Sequence, residues 1–350
     1  MIIQTLTTPD YPAWDDYVEQ SGAGVPLQLA GWRDILAQTN GYETFYLMAC
    51  DGSQLVGVMP LFLVRSFLLG NTLTTPPGGL CADSEAAAVA LIDHGRALAH
   101  QVGAKRLVLQ DTREIWPGDL QTSSNHVHWL VDLREGEEKL WKDLDSNIRR
   151  QVRLAGRNGL TAEIDRSGDK LDDFYGLFSR FTHQAGTPVF GRDFLAAIIK
   201  TFPGRFNIVL VYQADQPIAA YFQLEMGQLA MGRTMSGMWG AALPEFLSLR
   251  PVYLAYWTII SDAVAAGFDY LDMGRSPADS NAAKYKGQWG GICRPVHQQV
   301  WAGQGNPAAS VTQQLQTNGK MQWLMQFWPK IPLPLARYLG PKLRRHVPFA

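Results

Sequence analysis

Hydrophobic and polar positions along this chain recur with two spacings, one typical of strands and one typical of helices. In the first 134 residues, alternating or short continuous apolar runs predict strands at residues 2–6, 44–49, 55–64, 106–110 and 127–133. Apolar residues three and four apart predict helices at residues 11–19, 29–38 and 85–102. The Asp51-Gly52 pair between the second and third strands predicts a hairpin.

The rest of the chain repeats this order of elements. Strands are predicted at residues 161–164, 207–212, 218–224, 229–235, 270–273 and 293–301. Helices are predicted at residues 137–157, 171–184, 192–200 and 246–266, the first of them ending at Gly159. The repeated order predicts an α+β protein with two lobes of similar fold. The polar residues Arg134-Glu135-Gly136 place the predicted boundary near residue 134, giving lobes at 1–134 and 135–303 and an arm at 304–350.

Composition fits a folded protein with two cores, because 46% of the 350 residues are hydrophobic and 18% are charged. Cys50, Cys81 and Cys293 lie far apart and fit no metal-ligand spacing, so we expect reduced thiols and no metal site. The first residues contain no basic segment followed by an apolar run. We therefore expect no signal peptide and a cytoplasmic location.

The net charge of −1 conceals an uneven distribution of charge along the chain. Residues 280–350 contain nine Lys or Arg and no Asp or Glu, so the remaining residues have a net charge of −10. A basic carboxyl-terminal fifth predicts an anionic partner, which is a phosphate-bearing ligand, a nucleic acid such as tRNA, or a membrane surface.

The arm contains several prolines, which exclude one continuous helix. Two interpretations stay open for it. It packs on the body of the protein, or it makes a peripheral contact with an anionic membrane at the inner face. In the second case the basic residues would bind lipid headgroups while the aromatic residues act as apolar anchors. These residues are Lys330, Arg337, Lys342, Arg344 and Arg345, with Trp323, Phe327 and Trp328.

Candidate chemistry concentrates at residues 268–290. A predicted strand ends in Gly274-Arg275-Ser276, which places a guanidinium and a hydroxyl at a sheet edge. Lys286 and Trp289 follow within fifteen residues. This arrangement suits a phosphate or a carboxylate on a small or medium-sized substrate. Arg275 is expected either to bind that anion or to pair with Asp272.

Three parts of the chain, the stretch at residues 268–290 and two segments before it, resemble motifs of the FemAB-like branch of the GNAT acyltransferase superfamily. Asp272-Met273-Gly274-Arg275-Ser276 matches a D-[FM]-G-R-S strand end, and Tyr285-Lys286-Gly287-Gln288-Trp289-Gly290 matches an F-K-x-x-W-G turn. Residues 146–160 resemble a basic helix that ends in glycine, and residues 181–190 resemble a T-x-x-x-G-T-P block. The subgroup in question accompanies bacterial exopolysaccharide and PEP-CTERM/exosortase systems. Tyr285 departs from the usual Phe.

The resemblance implies two tandem GNAT-like lobes and a transferase. It would move an acyl or aminoacyl group from acyl-CoA or aminoacyl-tRNA, as a co-substrate, to an amine of a cell-envelope or exopolysaccharide precursor. Lys286 would stabilise developing charge as the catalytic residue, and His183 would accept a proton. The residues expected to bind substrate are Arg275, Ser276, Trp289, Tyr285, Arg149 and Arg153.

Two alternatives remain open from the sequence. The first is an acyl-CoA-dependent GNAT N-acyltransferase that acts on a small amine. The second is a non-catalytic sugar- or membrane-binding protein of an export system. The loop Pro76-Pro77-Gly78-Gly79 lacks the usual phosphate-binding pattern of GNAT proteins, so the sequence leaves the donor unresolved.

Overall fold

The computed structural model describes residues 1–66, 70–229, 232–303 and 319–346. The strands are β1 Ile2–Thr5, β2 Glu43–Asp51, β3 Gln54–Val64, β4 Thr72–Thr74, β5 Cys81–Ala82, β6 Arg106–Thr112, β7 Gln121–Asp132, β8 Leu160–Asp165, β9 Phe206–Gln213, β10 Gln216–Leu229, β11 Gly232–Ala242, β12 Tyr270–Pro277 and β13 Ile292–Ala302. The helices are α1 Tyr11–Gln20, α2 Trp32–Asn40, α3 Glu85–Gln101, α4 Glu137–Asp143, α5 Ser146–Arg157, α6 Leu171–Gln184, α7 Arg192–Thr201, α8 Pro251–Ala265, α9 Asn281–Gly287, α10 Gly319–Phe327 and α11 Leu333–Arg344.

The strands form one 13-stranded sheet made of two halves of the same design. Its order is β1-β2-β3-β4-β6-β13-β7-β12-β11-β10-β9-β8, with β5 paired to β3. Each half has one parallel pair, β4 with β6 and β11 with β12, while the other pairs are antiparallel. The predicted α+β architecture with two tandem GNAT-like lobes is confirmed.

The two halves exchange their last strands at the centre of the sheet. β7 follows β6 in the chain but pairs with β12, and β13 follows β12 but pairs with β6. β7 and β13 also pair with each other, which joins the halves edge to edge. The division of the chain near residue 134 stays a prediction about its folding units, since each half of the sheet contains one strand from the other side of that point.

A shared hydrophobic core joins the two halves on one face of the sheet. Trp14 and Trp32 from α1 and α2 pack in the same buried cluster as Phe174 and Phe194 from α6 and α7. The rings of Trp32 and Phe194 lie 6.0 Å apart. Successive strand residues point to opposite faces, and separate clusters under α3 and under α5 and α8 cover the other face. Burial of these apolar side chains from both halves stabilises the contact between the lobes.

Two predicted helices are interrupted for local reasons. The helix expected at 137–157 is two helices, because the backbone at Leu144 is extended and the Asp145 side chain accepts a hydrogen bond from the Asn147 N–H to begin α5. The helix expected at 246–266 begins only at Pro251, after Arg250 with φ of +73°. A short 3₁₀ segment, Pro244–Leu249, precedes it.

Other differences lie around the candidate motifs. β12 continues to Pro277, beyond its expected end at residue 273, because it pairs with β7 through Ser276 and Pro277. The polar stretch after it forms α9, whose first turn is capped by the Ser280 hydroxyl. Of the strand expected at 229–235, residues 230 and 231 lie outside the described ranges. The strand β11 runs on to Ala242, seven residues beyond the predicted end.

The described part of the arm packs against α6. Arg337 Nε donates to Ser179 Oγ at 2.8 Å, and its Nη2 donates to the Gly176 carbonyl at 3.1 Å. Trp328 is buried, whereas Trp323 and Tyr338 are exposed. The arm residues 304–318 and 347–350 lie outside the described ranges. The arm is therefore fixed to the second lobe while part of its apolar surface faces outward.

Candidate functional site

A cavity of about 810 Å³ lies between the two halves, at the point where β11 and β12 separate. These parallel strands pair at Thr234–Tyr270, Met235–Leu271 and Ser236–Asp272, and the structure describes no pair beyond. From there β11 continues along β10, while β12 continues along β7. The separation leaves an opening with backbone on both sides, into which a substrate can extend.

Gly274 shapes this opening. Its φ is +73°, and a Cβ at this position would lie 2.6 Å from the Gly237 carbonyl oxygen of β11. The register between β12 and β7 shifts between Asp272 and Arg275. The resulting bulge makes the carbonyls of Gly274 and Arg275 available to a side chain outside the sheet. Glycine is the residue type that this close approach and this backbone conformation allow.

Lys286 occupies the position created by the bulge. Its Nζ donates hydrogen bonds to the Gly274 carbonyl at 2.8 Å and to the Arg275 carbonyl at 3.1 Å. An ammonium group has three hydrogens, so one remains for an oxygen in the cavity. Burial lowers the pKa of Lys286 to about 8, although the charge of Asp272 partly opposes this effect. The ammonium form therefore dominates at pH 7 and is lost above pH 8.

Two ion pairs cross between the halves beside Lys286. Arg275 of the second half pairs with Asp111 of the first at 2.8 Å, and Arg113 of the first pairs with Asp272 of the second at 3.2 Å. The expectation that Arg275 pairs with Asp272 is thus wrong, because the bulge after Asp272 directs Arg275 toward the end of β6. Each half thus contributes an Asp and, two or three residues later, an Arg, and each Arg pairs with the Asp of the other half.

Asp272 is the most strongly held carboxylate of the site. It accepts the Gly274 N–H at 2.9 Å and contacts His128 Nδ1 at 3.1 Å. Burial alone would raise the pKa of Asp272, but the hydrogen bond to His128 and the charges of His128 and Arg113 hold it well below its ordinary value. Asp111 has φ of +48°, a strained conformation for a residue with a side chain. The strained backbone of Asp111 and the buried charge of Asp272 thus both lie at the wall of the cavity.

The structure brings together part of the predicted site. Lys286, Arg275 and Ser276 line the cavity. Tyr285 and Trp289 do not, because they pack under it against Tyr253 and Tyr256 of α8, and Trp289 is 1% exposed. Their predicted contact with substrate stays a prediction, and the contacts described here are packing contacts that support α9.

The other predicted residues lie away from the cavity wall. His183 Nε2 contacts the Ile331 carbonyl of the arm at 2.8 Å. Arg149 donates to the Lys142 carbonyl at 3.0 Å, and the Arg153 guanidinium lies 5.4 Å from the ring of Trp141. The roles assigned to these three residues stay predictions, and the structure gives each of them a partner in the protein.

Sequence reasoning missed several residues of the cavity wall, among them Asp111, Arg113, His128 and Arg344. A signal for the first two was present. Asp111-Thr112-Arg113 follows the strand predicted at residues 106–110, and Asp272 to Arg275 lies at the end of the corresponding strand predicted at residues 270–273. Comparing the two passes position by position would have indicated them. His128 lies in β7, and its approach to Asp272 depends on the strand exchange.

The matching opening in the first half is closed. The Gly78 N–H donates to the Gln110 carbonyl, and the Gln110 N–H donates to Thr75 Oγ1, both at 2.9 Å. These bonds hold the loop Pro76-Pro77-Gly78-Gly79 across the gap between β4 and β6. A Cβ on Gly79 would lie 2.2 Å from Thr112 Cγ2, so the loop is tightly packed. Pro77 and Gly78 of this loop line the same cavity as Lys286 of the second half.

No group of three or more His, Cys, Asp or Glu side chains in the described ranges is placed to hold a metal ion. Among the same residues, every helix is too short or too polar to cross a membrane.

The comparisons with known proteins agree with this architecture. Residues 142–287 match the family model of an acetyltransferase (GNAT) domain. The crystal structure of FemX superimposes with a TM-score of 0.66 at 15% identity, over 85% of this chain and 97% of FemX. A tandem GNAT protein from the clavulanic acid biosynthesis pathway gives a TM-score of 0.58 at 10% identity, over 88% of this chain and 99% of its own.

L-PGS from Bacillus licheniformis gives a TM-score of 0.55 at 12% identity, over 92% of this chain and 98% of its own. No curated protein matches the sequence. Residues 142–287 thus contain a GNAT acetyltransferase domain, and the fold of the chain is similar to those of FemX and the tandem GNAT protein, which agrees with the FemAB-like GNAT resemblance of the sequence motifs. The GNAT domain indicates that the protein is a transferase.

Proposed function

We propose that this protein transfers an acyl or aminoacyl group to an amine of a cell-envelope precursor, in the opening between β11 and β12. The observation that carries the proposal is the position of Lys286, whose ammonium group is held by two backbone carbonyls at the wall of the cavity. A cation fixed in this way stabilises negative charge that develops on an acyl oxygen.

The reaction forms a carbon–nitrogen bond and breaks the bond between the acyl carbon and its carrier. The amine of the acceptor attacks the acyl carbonyl, whose oxygen becomes negative and takes the remaining hydrogen bond of Lys286. The carrier leaves as a thiol or an alcohol and takes up the proton that the amine loses. The backbone of β11 and the ion pairs around Asp272 position the two reactants, which accounts for a large part of the rate of such reactions.

The acceptor class follows from the resemblance to FemAB-like proteins, the likeness to FemX and the character of the cavity. The cavity is lined both by aromatic residues, among them Phe178, Phe190 and Trp239, and by charged residues. A precursor with an apolar part and an anionic group fits such a lining. The narrower assignment to exopolysaccharide systems rests on the sequence motifs alone.

The donor has two candidates, each with support. Acyl-CoA is the co-substrate typical of the GNAT family. Aminoacyl-tRNA is the donor that the FemAB-like motifs imply. An acyl-CoA-dependent N-acyltransferase that acts on a small amine is therefore the second candidate function, favoured by the family match at 142–287.

A thermal-shift panel with acyl-CoA esters, aminoacyl-tRNA and nucleotide sugars tests the proposed function. A ligand that binds the folded state alone raises the melting temperature, by an amount that grows with its concentration relative to Kd. We expect one of the two acyl donors to stabilise the protein. Stabilisation by nucleotide sugars together with no response to either donor would favour a non-catalytic sugar-binding protein instead.

A peripheral membrane contact through the arm is part of the same proposal. Fewer of the predicted membrane-binding residues are free to contact lipid, because Arg337 is hydrogen-bonded to α6 and Trp328 is buried. The arm still exposes the cations Lys330, Lys342 and Arg345 and the rings of Trp323, Phe327 and Tyr338.

We expect the protein to sediment with anionic vesicles at low salt and to dissociate at high salt, since each exposed cation near an anionic surface contributes about 1 kcal/mol. Replacing Trp323 and Phe327 together by Ser should weaken the association. Ile115→Ser, which changes an exposed apolar residue of the first half, serves as the control. Equal binding by all three proteins, or no binding at low salt, would remove the membrane contact.

A further inference from the structure

The charges on the wall of the cavity do not balance. Its carboxylates are Asp111 and Asp272, and each is paired with an arginine, Arg275 or Arg113. Two further cations, Lys286 and Arg344, line the same wall. Lys286 is held by backbone carbonyls and is used in the proposed reaction. Arg344 is the charge that neither the ion pairs nor the reaction explains.

Arg344 lies in the last turn of α11 and reaches the cavity from the arm. Its guanidinium lies 4.8 Å from the ring centre of Phe190. None of the ion pairs found among the described residues includes Arg344. Burial lowers the pKa of this guanidinium, the charge of Arg275 lowers it further, and Tyr42 acts in the opposite direction. The guanidinium is thus partly desolvated, close to a second arginine, and without a carboxylate.

The arm holds Arg344 in this place through contacts with both halves of the molecule. Gly340 lies against the backbone of Val189, where a Cβ would be 3.0 Å from the Val189 carbonyl oxygen. The bonds of Arg337 fix the same helix to α6. Beyond the helix, His346 Nδ1 contacts the Arg65 carbonyl of the first half at 2.8 Å. A residue positioned from both sides is suited to bind a ligand rather than to move freely.

We propose that Arg344 and Arg275 together bind a phosphate group of the substrate in this cavity, with the arm as a part of the site. Two guanidinium groups present donors in the fork geometry that matches phosphate oxygens. The contacts of Arg275 with Asp111 run through Nη1, which leaves its other nitrogens for a ligand. The cavity holds more positive than negative groups, so it stabilises an added anion. This inference rests on the proposed function, and it gives the substrate its chemical class.

Two sources of phosphate fit the same chemistry. The donor carries it in acyl-CoA or in tRNA, and the acceptor carries it in a lipid-linked or nucleotide-linked diphosphate. The aromatic residues of the cavity fit a polyprenyl chain as well as the pantetheine part of CoA. The site itself is the same in both cases, so the experiment first tests the site and then separates the sources.

Inorganic pyrophosphate, titrated into the full-length protein in a calorimeter, tests the site. We expect the wild-type protein to bind it and Arg344→Ala to raise Kd by about tenfold or more, since hydrogen bonds to charged groups contribute that much to affinity. Arg345→Ala is the matched control, because Arg345 is the next residue but is exposed and contacts His346 instead. We expect its Kd to stay near the wild-type value.

Arg344→Lys is a second variant that separates weaker binding from misfolding. Lysine keeps the positive charge of this position but lacks the planar guanidinium with its paired donors. We expect its Kd to lie between those of the wild type and Arg344→Ala. No binding by the wild type, or equal weakening in Arg344→Ala and Arg345→Ala, overturns the proposal. Lys286→Ala should still bind pyrophosphate, because Lys286 is assigned to the acyl oxygen. A wild-type protein that binds pyrophosphate but transfers no acyl group would contradict the proposed function and leave the phosphate site standing.

Competition then separates the two sources. Displacement of pyrophosphate by coenzyme A assigns the phosphate to the donor, and displacement by geranyl diphosphate assigns it to a lipid-linked acceptor. Either result supports a substrate phosphate at Arg344. Displacement by neither compound, nor by tRNA, overturns the assignment to a substrate.

Discussion

Replacing Lys286 by alanine should lower the rate of acyl transfer by about 10²–10³-fold, the effect typical of losing one fixed donor to a developing oxyanion. The melting temperature should change little. The ammonium group is partly desolvated, as its lowered pKa of about 8 indicates. Removing it therefore removes an unfavourable desolvation energy as well as two hydrogen bonds, and the two changes offset each other. Transfer to an amine, measured with the donor that the thermal-shift panel identifies, gives the rate.

Lys284→Ala is the matched control for this prediction. Lys284 lies on the same short helix, two residues before Lys286, but its side chain is exposed. Its replacement should leave the rate near the wild-type value. An equal loss in both variants would mean that charge on α9 matters and that the position of Lys286 does not. Unchanged transfer in Lys286→Ala would remove this residue from the mechanism.

The same residue predicts the direction of the pH dependence. If the ammonium form of Lys286 is the active one, the rate falls as the pH rises through about 8, the pKa that burial gives this group. A lysine that acted as a base would give the opposite slope, because its neutral form would be the active one. The slope between pH 7 and pH 9 therefore separates the two roles.

Replacing Asp272 by asparagine should destabilise the protein by about 3–5 kcal/mol, the usual cost of removing one partner from a buried ion pair. Asp272 is buried and interacts with Arg113, His128 and the Gly274 N–H. Its removal leaves the Arg113 guanidinium partly buried without a carboxylate. Urea unfolding followed by circular dichroism measures the difference in the free energy of unfolding.

Asp132→Asn is the control for Asp272, because Asp132 lies on the neighbouring strand β7 and pairs with Arg134 at the surface. An exposed pair of this kind contributes about 0–1 kcal/mol. The pKa of Asp272 is lower in the folded than in the unfolded protein, so its stabilisation is complete above the unfolded value near 3.9 and decreases as the pH falls below it. A loss in Asp272→Asn no larger than that in Asp132→Asn would contradict the assigned ion-pair network.

The order of elements could be predicted from the sequence because it depends on local spacing. Alternation such as that at residues 44–49 and 55–64 decides between strand and helix within a few residues, and the repeated order then indicates two lobes. The exchange of β7 and β13 could not be predicted in this way, since pairing between β6 and β13 joins residues almost two hundred positions apart. No local pattern encodes such a partner.

The candidate site was predictable in part for the same reason. Gly274, Arg275 and Lys286 lie within thirteen residues, so one strand end and one helix bring them together. Asp111, His128 and Arg344 reach the cavity from β6, β7 and the arm, and their approach depends on the assembled fold. Trp289 belongs to the same motif as Lys286, but the helical turn between them directs it into the core.

A structure of the protein with its bound donor tests the central claim most directly. Acyl transfer in the opening between β11 and β12 requires the acyl carbonyl oxygen to lie about 3 Å from Lys286 Nζ. We expect the donor in this cavity, with its acyl group beside Gly237 and Gly274. A donor bound outside this cavity, with Lys286 far from the acyl group, would contradict the account.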